Sequence, residues 1–159
     1  MNWGHFLFGF AGRINRAKYW LWVLLYFIAA IIIAAVVYAA HASNALLIGG
    51  IIQVGFSIAA FVSSLAVMTK RLHDRHKSAW WLLVFMLVPS VLLGIGVGMT
   101  IHGRLAGAGG DMSGMERIGG VIFSLAAAAL LIWAFVELGC LRGTIGPNRF
   151  GADPLEERV

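Results

Sequence analysis

Four long apolar runs separated by short polar stretches dominate the chain, at approximately Tyr19 to Ala40, Ala45 to Met68, Ala79 to Ile101 and Ile118 to Leu141. A helical run of about 20 apolar residues, rising about 1.5 Å per residue, crosses a hydrocarbon core of roughly 30 Å. Lipid offers no hydrogen-bond partner to an open backbone, so each run is predicted to be an α-helix. The expected fold is an all-α integral membrane four-helix bundle with short polar segments. These spans use up most of the 159 residues, so a single membrane domain over 1–159 is expected, with no separate soluble domain. Basic residues precede the first run and Ala40-His41-Ala42 resembles a cleavage site, which would suit a cleaved leader. The apolar core is longer than the roughly 7 to 15 residues of such a leader, so a retained span is expected.

The polar positions choose a side. Arg13, Arg16 and Lys18 precede the first span, Lys70, Arg71, Arg75 and Lys77 join the second to the third, and Arg142, Arg149 and Arg158 follow the fourth. That is ten of the twelve basic residues, and the other connections hold only Arg104 and Arg117. Cytoplasmic loops carry the excess of Lys and Arg, so both termini are expected in the cytoplasm. Trp3, Trp20, Trp22, Trp80 and Trp81 fall near the same side, where the headgroup zone favours tryptophan, while Trp133 lies deeper in its span. Trp20, Trp22, Trp80 and Trp81 are therefore expected as interfacial anchors. The opening NWGHFLFGF is expected to lie in that interface as well.

Composition agrees with this layout. Hydrophobic residues make up 60% of the chain and charged ones 12%, with a mean hydropathy of +0.87, against roughly 25% charged residues in a soluble domain. The net charge of +5 would suggest nucleic acid in a soluble protein. Here the charges sort by side of a membrane, so no nucleic-acid partner is expected. The single cysteine, Cys140, lies in the last apolar run and is read as a small apolar residue.

Small residues spaced by four mark packing faces in the second span, at Gly55, Ala59 and Ser63, and in the fourth, at Gly120, Ser124 and Ala128. Such faces hold the bundle together or hold copies of it together. In the third span Pro89 precedes Gly94, Gly96 and Gly98, which predicts a kink or a loosened outer half. The Gly-rich stretch HGRLAGAGGDMSGMER lacks the GK[ST] of a phosphate loop and is expected to be a flexible outer connection.

Three polar segments share the basic side: GRINRAKYW from Gly12, KRLHDRHKSAWW from Lys70 and RGTIGPNRFGADP from Arg142. Together they resemble the YhaH-like bacterial inner-membrane family, known as domain of unknown function 805. The resemblance rests on Phe10, Gly12, Arg13, Arg16, Tyr19 and Trp20. It continues in Arg71, Leu72, His73, Asp74, Ser78, Trp80 and Trp81, and in Gly143, Gly146, Asn148, Phe150, Gly151, Asp153 and Pro154. His76 and Lys77 depart from it, because similar proteins often carry a small residue or Gly before the basic one. The resemblance implies a four-span protein of the bacterial inner membrane and supplies no activity.

Ordinary chemistry accounts for much of these segments. Lys70 and Arg71 suit a helix C-terminus, Ser78 can cap the third helix, and Gly143 can end the fourth. It leaves Asp74 within a basic cluster, and Asn148 and Arg149 in a loop that needed only turns. Arg13, Arg16, Arg71, His73, Asp74, Asn148, Arg149 and Asp153 are therefore expected to form a cytoplasmic polar network, with Asp74 accepting from Arg71, Arg75, Arg13 or Arg16. Such a network could stitch the segments together, capture an anion such as a lipid phosphate, or use His73 and Asp74 as a base and its orienter. Cations around His73 and His76 argue against a metal site. Glu137 is the one carboxylate inside a span, which calls for an ion-pair partner or a proton path.

No HExxH, GxSxG, Walker, CxxC or haem pattern occurs, so neither catalytic residues nor a cofactor are expected. The leading expectation is a non-enzymatic inner-membrane protein whose basic cytoplasmic face binds anionic lipid headgroups or a cytoplasmic partner. An accessory subunit of a larger membrane complex, or a homo-oligomer, is the alternative, and a small transporter is the third.

Overall fold

The structure, a computed structural model, describes residues 2–105 and 111–156. Among the described residues the regular elements are all helical, and four helices are long and apolar enough to cross a membrane, as the apolar runs predict. The chain divides into two compact units, Met1–Ala79 with Leu141–Val159, and Trp80–Cys140.

The first unit contains α1 (Trp3–Phe8), α2 (Arg16–Ala42), α3 (Leu46–Asp74) and the C-terminal segment. Asn2 caps α1 by accepting the His5 N–H at 3.2 Å, and Asn15 caps α2 by accepting the Lys18 N–H at 2.9 Å. At its other end the Gly9 N–H closes on the His5 carbonyl at 3.0 Å, and Lys70 of α3 adds a second donor, its Nζ reaching the His5 and Phe6 carbonyls at 2.9 and 2.6 Å. A short turn with Asn44 in the left-handed region joins α2 to α3.

The α2–α3 hairpin packs through Tyr26, stacked on both Trp22 and Phe56, and through Gly49 against Ala40. Trp22 departs from the anchor role expected of it: only 8% exposed, its Nε1 donates to Ser63 Oγ at 2.9 Å across the hairpin. Its indole N–H finds a partner on the neighbouring helix in place of a headgroup. Trp20, by contrast, is exposed. Of the expected row on α3, Ser63 faces α2 whereas Gly55 and Ala59 are exposed.

The second unit pairs α4 (Val88–Leu105) with α5 (Asp111–Phe135), each extended on the near side by one π-helical turn, Leu83–Leu87 before α4 and Val136–Cys140 after α5. The irregularity expected around Pro89 thus falls before it, and the glycine-bearing half that follows is regular α-helix. Pro89 cannot donate and crowds the carbonyl four residues back. Widening the preceding turn relieves this, and the Val88 N–H bonds the Leu83 carbonyl five residues earlier. Gly96 has a packing role: a Cβ there would lie 2.5 Å from Ser124 Oγ and 2.7 Å from the Gly120 carbonyl of α5. Gly120 and Ser124 therefore face α4, joined by buried Ala127 in place of the exposed Ala128.

The helix leading into α4 begins at Trp81, so Ser78 lies short of its cap. Trp81 meets Trp133 edge-on at 5.8 Å and Phe85 at 5.7 Å, an aromatic cluster within this unit, while Trp80 is 76% exposed. The connection expected at 102–117 is helical up to Leu105 and again from Asp111, with His102 and Glu116 paired at 2.9 Å across the hairpin. The middle of that expected flexible stretch, 106–110, lies outside the described residues.

Candidate functional site

The three polar segments meet within the first unit, at the end where α2 begins and α3 ends. Gly12 turns the chain with φ +92°, a left-handed conformation natural to glycine, and delivers Arg13 into the interior. Arg13 uses every donor of its guanidinium. Nε and Nη2 reach Asp74 Oδ1 at 3.2 and 3.1 Å, Nη1 reaches the carbonyls of Gly146 and Gly151 at 2.8 and 3.3 Å, and Nη2 reaches the Thr144 carbonyl at 2.6 Å. Arg71, fully buried one turn before Asp74 on α3, donates to Asp74 Oδ2 and to the Leu141 carbonyl. Each Asp74 oxygen is thus matched to one arginine, and each arginine also holds the backbone of the C-terminal segment.

Asp74 has room there because residue 143 is a glycine. A Cβ at Gly143 would run into the Asp74 carboxylate. The adjacent Thr144 returns two bonds to the Asp74 carbonyl, from its N–H at 2.8 Å and its hydroxyl at 3.1 Å.

The loop that follows closes on itself. Asn148 and Gly151 exchange backbone hydrogen bonds, and Asn148 Nδ2 donates to the His73 carbonyl and to Thr144 Oγ1, both at 3.0 Å. Asp153 accepts the Gly146 N–H and the Leu155 N–H, each at 3.0 Å. These bonds, led by the one from Leu155, and the charges of Arg13 and Arg142 hold its carboxyl below the usual carboxylate range.

His73 lies flat on Phe150, with ring centroids 3.9 Å apart and planes 4° from parallel, and turns Nδ1 to the Gly12 carbonyl at 3.3 Å. Asp74 faces the arginines, so the two neighbours in sequence serve different contacts. His76 has φ +59°, which explains why a small residue or Gly suits the position where this chain departs from its resemblance.

Of the expected network residues, Arg13, Arg71, His73, Asp74, Asn148 and Asp153 come together here. Arg16 and Arg149 are exposed at its edge, with the Arg149 guanidinium 4.6 Å from the centre of the Phe150 ring. Sequence reasoning missed Thr144 and the steric need for Gly143, and it read Lys70 as a helix-end cation where the structure makes it the tether of α1. Glu137 lies in the second unit, 4% exposed, within the π-helical turn after α5. Among the described residues no group of three His, Cys, Asp or Glu could hold a metal ion.

A family model described as protein of unknown function (DUF805) matches residues 7–152, a range that takes in all three segments. The chain is 29% identical over 150 residues to the uncharacterized protein YiiR of Escherichia coli strain K12, covering 92% of this chain and 86% of that one. It is 28% identical over 148 residues to the inner membrane protein YhaH of the same strain, covering 92% and 87%. No solved structure matches.

Proposed function

The chain belongs to the DUF805 family, and from that premise we propose that it is a non-enzymatic inner-membrane protein whose basic cytoplasmic face holds anionic lipid headgroups. The observation that carries this reading is a division of labour among the arginines. Arg13 and Arg71 are buried and committed to Asp74 and to backbone carbonyls, which makes them the frame. Arg142 and Arg149 are exposed on the loop which that frame holds, where a headgroup phosphate can reach them. An exposed Lys or Arg near an anionic surface contributes about 1 kcal/mol. The inner-membrane placement is supported by the relative YhaH, an inner membrane protein, and by the four apolar helices.

Native mass spectrometry of the full chain with phosphatidylglycerol and phosphatidylcholine tests this. The double variant Arg142→Gln/Arg149→Gln should lose about an order of magnitude in phosphatidylglycerol retention at low salt and keep its phosphatidylcholine. Equal phosphatidylglycerol retention in variant and parent would refute the reading. A second reading, a subunit of a larger membrane complex or of a homo-oligomer, is favoured by Gly55, exposed on α3 with open space at its missing Cβ. Recovery of only a monomer in mild detergent would count against it.

A further inference from the structure

Between α1 and the start of α2 lies a cavity of about 240 Å³ whose walls include Asn2, His5, Arg13, Lys18 and Lys70. No carboxylate is among its lining residues. Its volume equals about eight waters at roughly 30 Å³ each, enough for a partly hydrated phosphate group.

Lys70 brings a buried charge to the cavity wall. It is 2% exposed, and its ammonium has two carbonyl partners and the face of the Phe6 ring, 5.6 Å from the ring centroid, but no carboxylate among the described residues. Buried charges are ordinarily paired. An ammonium has three donors, and the His5 and Phe6 carbonyls take two of them. Lys18 is half-buried on the first turn of α2, and its flexible stem lets a second ammonium close over the same space. Arg13 adds charge without a donor, since its guanidinium is committed. The elements that form the cavity also expose Trp3 on α1 and Trp20 on α2, and tryptophan settles at headgroup depth.

We propose that this cavity is a phosphate-ester site, set between Lys18 and Lys70, that takes the headgroup phosphate of one anionic phospholipid. It deepens the headgroup reading above but uses different residues from the exposed arginines, so the two can fail separately.

The full chain is loaded with phosphatidylglycerol or phosphatidylcholine and washed in about 1 M salt, where the Debye length falls to about 3 Å and exposed charges are screened. One phosphatidylglycerol per chain should survive the wash in the parent and in Arg142→Gln/Arg149→Gln. Its occupancy should fall about tenfold in Lys18→Gln, a substitution that leaves the Lys70 tether of α1 intact. Wild-type occupancy in Lys18→Gln, or equal survival of phosphatidylcholine, would overturn the site. Competition with millimolar inorganic phosphate separates the sources: persistence of phosphatidylglycerol supports a lipid, and its displacement supports a free phosphate on the same two lysines. Loss of lipid from the arginine variant only at low salt would leave this site standing.

Discussion

Asp74 accepts from Arg13 and Arg71 in a place closed to water, so neutralising it strands two buried cations against carbonyl oxygens. Breaking such a pair from one side costs about 3–5 kcal/mol, far above the roughly 0–1 kcal/mol of a surface pair. Asp74→Asn keeps the volume and should lower unfolding stability in detergent by about that amount; an unchanged denaturant midpoint would show the network to be dispensable. Gly143→Ala should give a comparable loss for a steric reason, because its methyl would occupy the carboxylate's place. Asp153 contributes on the acid side. Its folded pKa lies below the unfolded value, so its contribution is complete above the ordinary carboxylate range, near pH 4, and fades as pH falls through the lower folded value. Asp153→Asn should accordingly weaken protease protection of the C-terminal segment at neutral pH, and the loss of protection below about pH 4 should be smaller in Asp153→Asn than in the parent. The arginine partners of Asp74 were legible in the sequence, since a lone acid in a basic cluster must be paired. Gly143 and Thr144 were not, because their roles arise only once a segment some 70 residues away folds back onto the end of α3.

At the scale of elements, hydropathy alone located the four long helices, since a bilayer admits little else from runs of that length. It could not assign faces, because nearly every face is apolar. The glycines of α4 illustrate this: Gly94, Gly96 and Gly98 look equivalent in sequence, yet only Gly96 has atoms of α5 where a Cβ would go. Gly96→Ala should therefore destabilise the α4–α5 hairpin by about 1–3 kcal/mol, the usual range for overpacking. Gly94→Ala, with open space, should be neutral or gain up to about 1 kcal/mol from the lower backbone entropy lost. Equal unfolding midpoints for the two variants would contradict the packing described. The displacement of the Pro89 irregularity into the turn before it was hidden for a related reason: a proline announces a missing hydrogen bond, but not how the preceding turn widens to absorb it.

For the whole molecule, the strongest regularity is the sorting of charge. The first unit carries ten of the twelve basic residues of the sequence, and the nine of them among the described residues lie at one end of the α2–α3 hairpin, while the turn joining those helices, His41 to Ala45, carries no Lys or Arg. Buried Arg13, Lys70 and Arg71 belong to that end by packing, and the exposed cations gather around them, so the polarity is built into the fold rather than into a detachable tail. By the positive-inside rule we propose that this end lies in the cytoplasm. The exposed positions Ile145 and Ser43 stand at opposite ends of the hairpin and report on it directly. In a Cys140→Ser background, a membrane-impermeant maleimide added to spheroplasts should label Ser43→Cys and spare Ile145→Cys, and inside-out vesicles should give the reverse. Labelling of Ile145→Cys from the outside would place the arginine frame, and both lipid readings with it, on the wrong leaflet. Labelling confined to Ser43→Cys in spheroplasts would put the cations where the anionic surface potential of the inner leaflet can act on them.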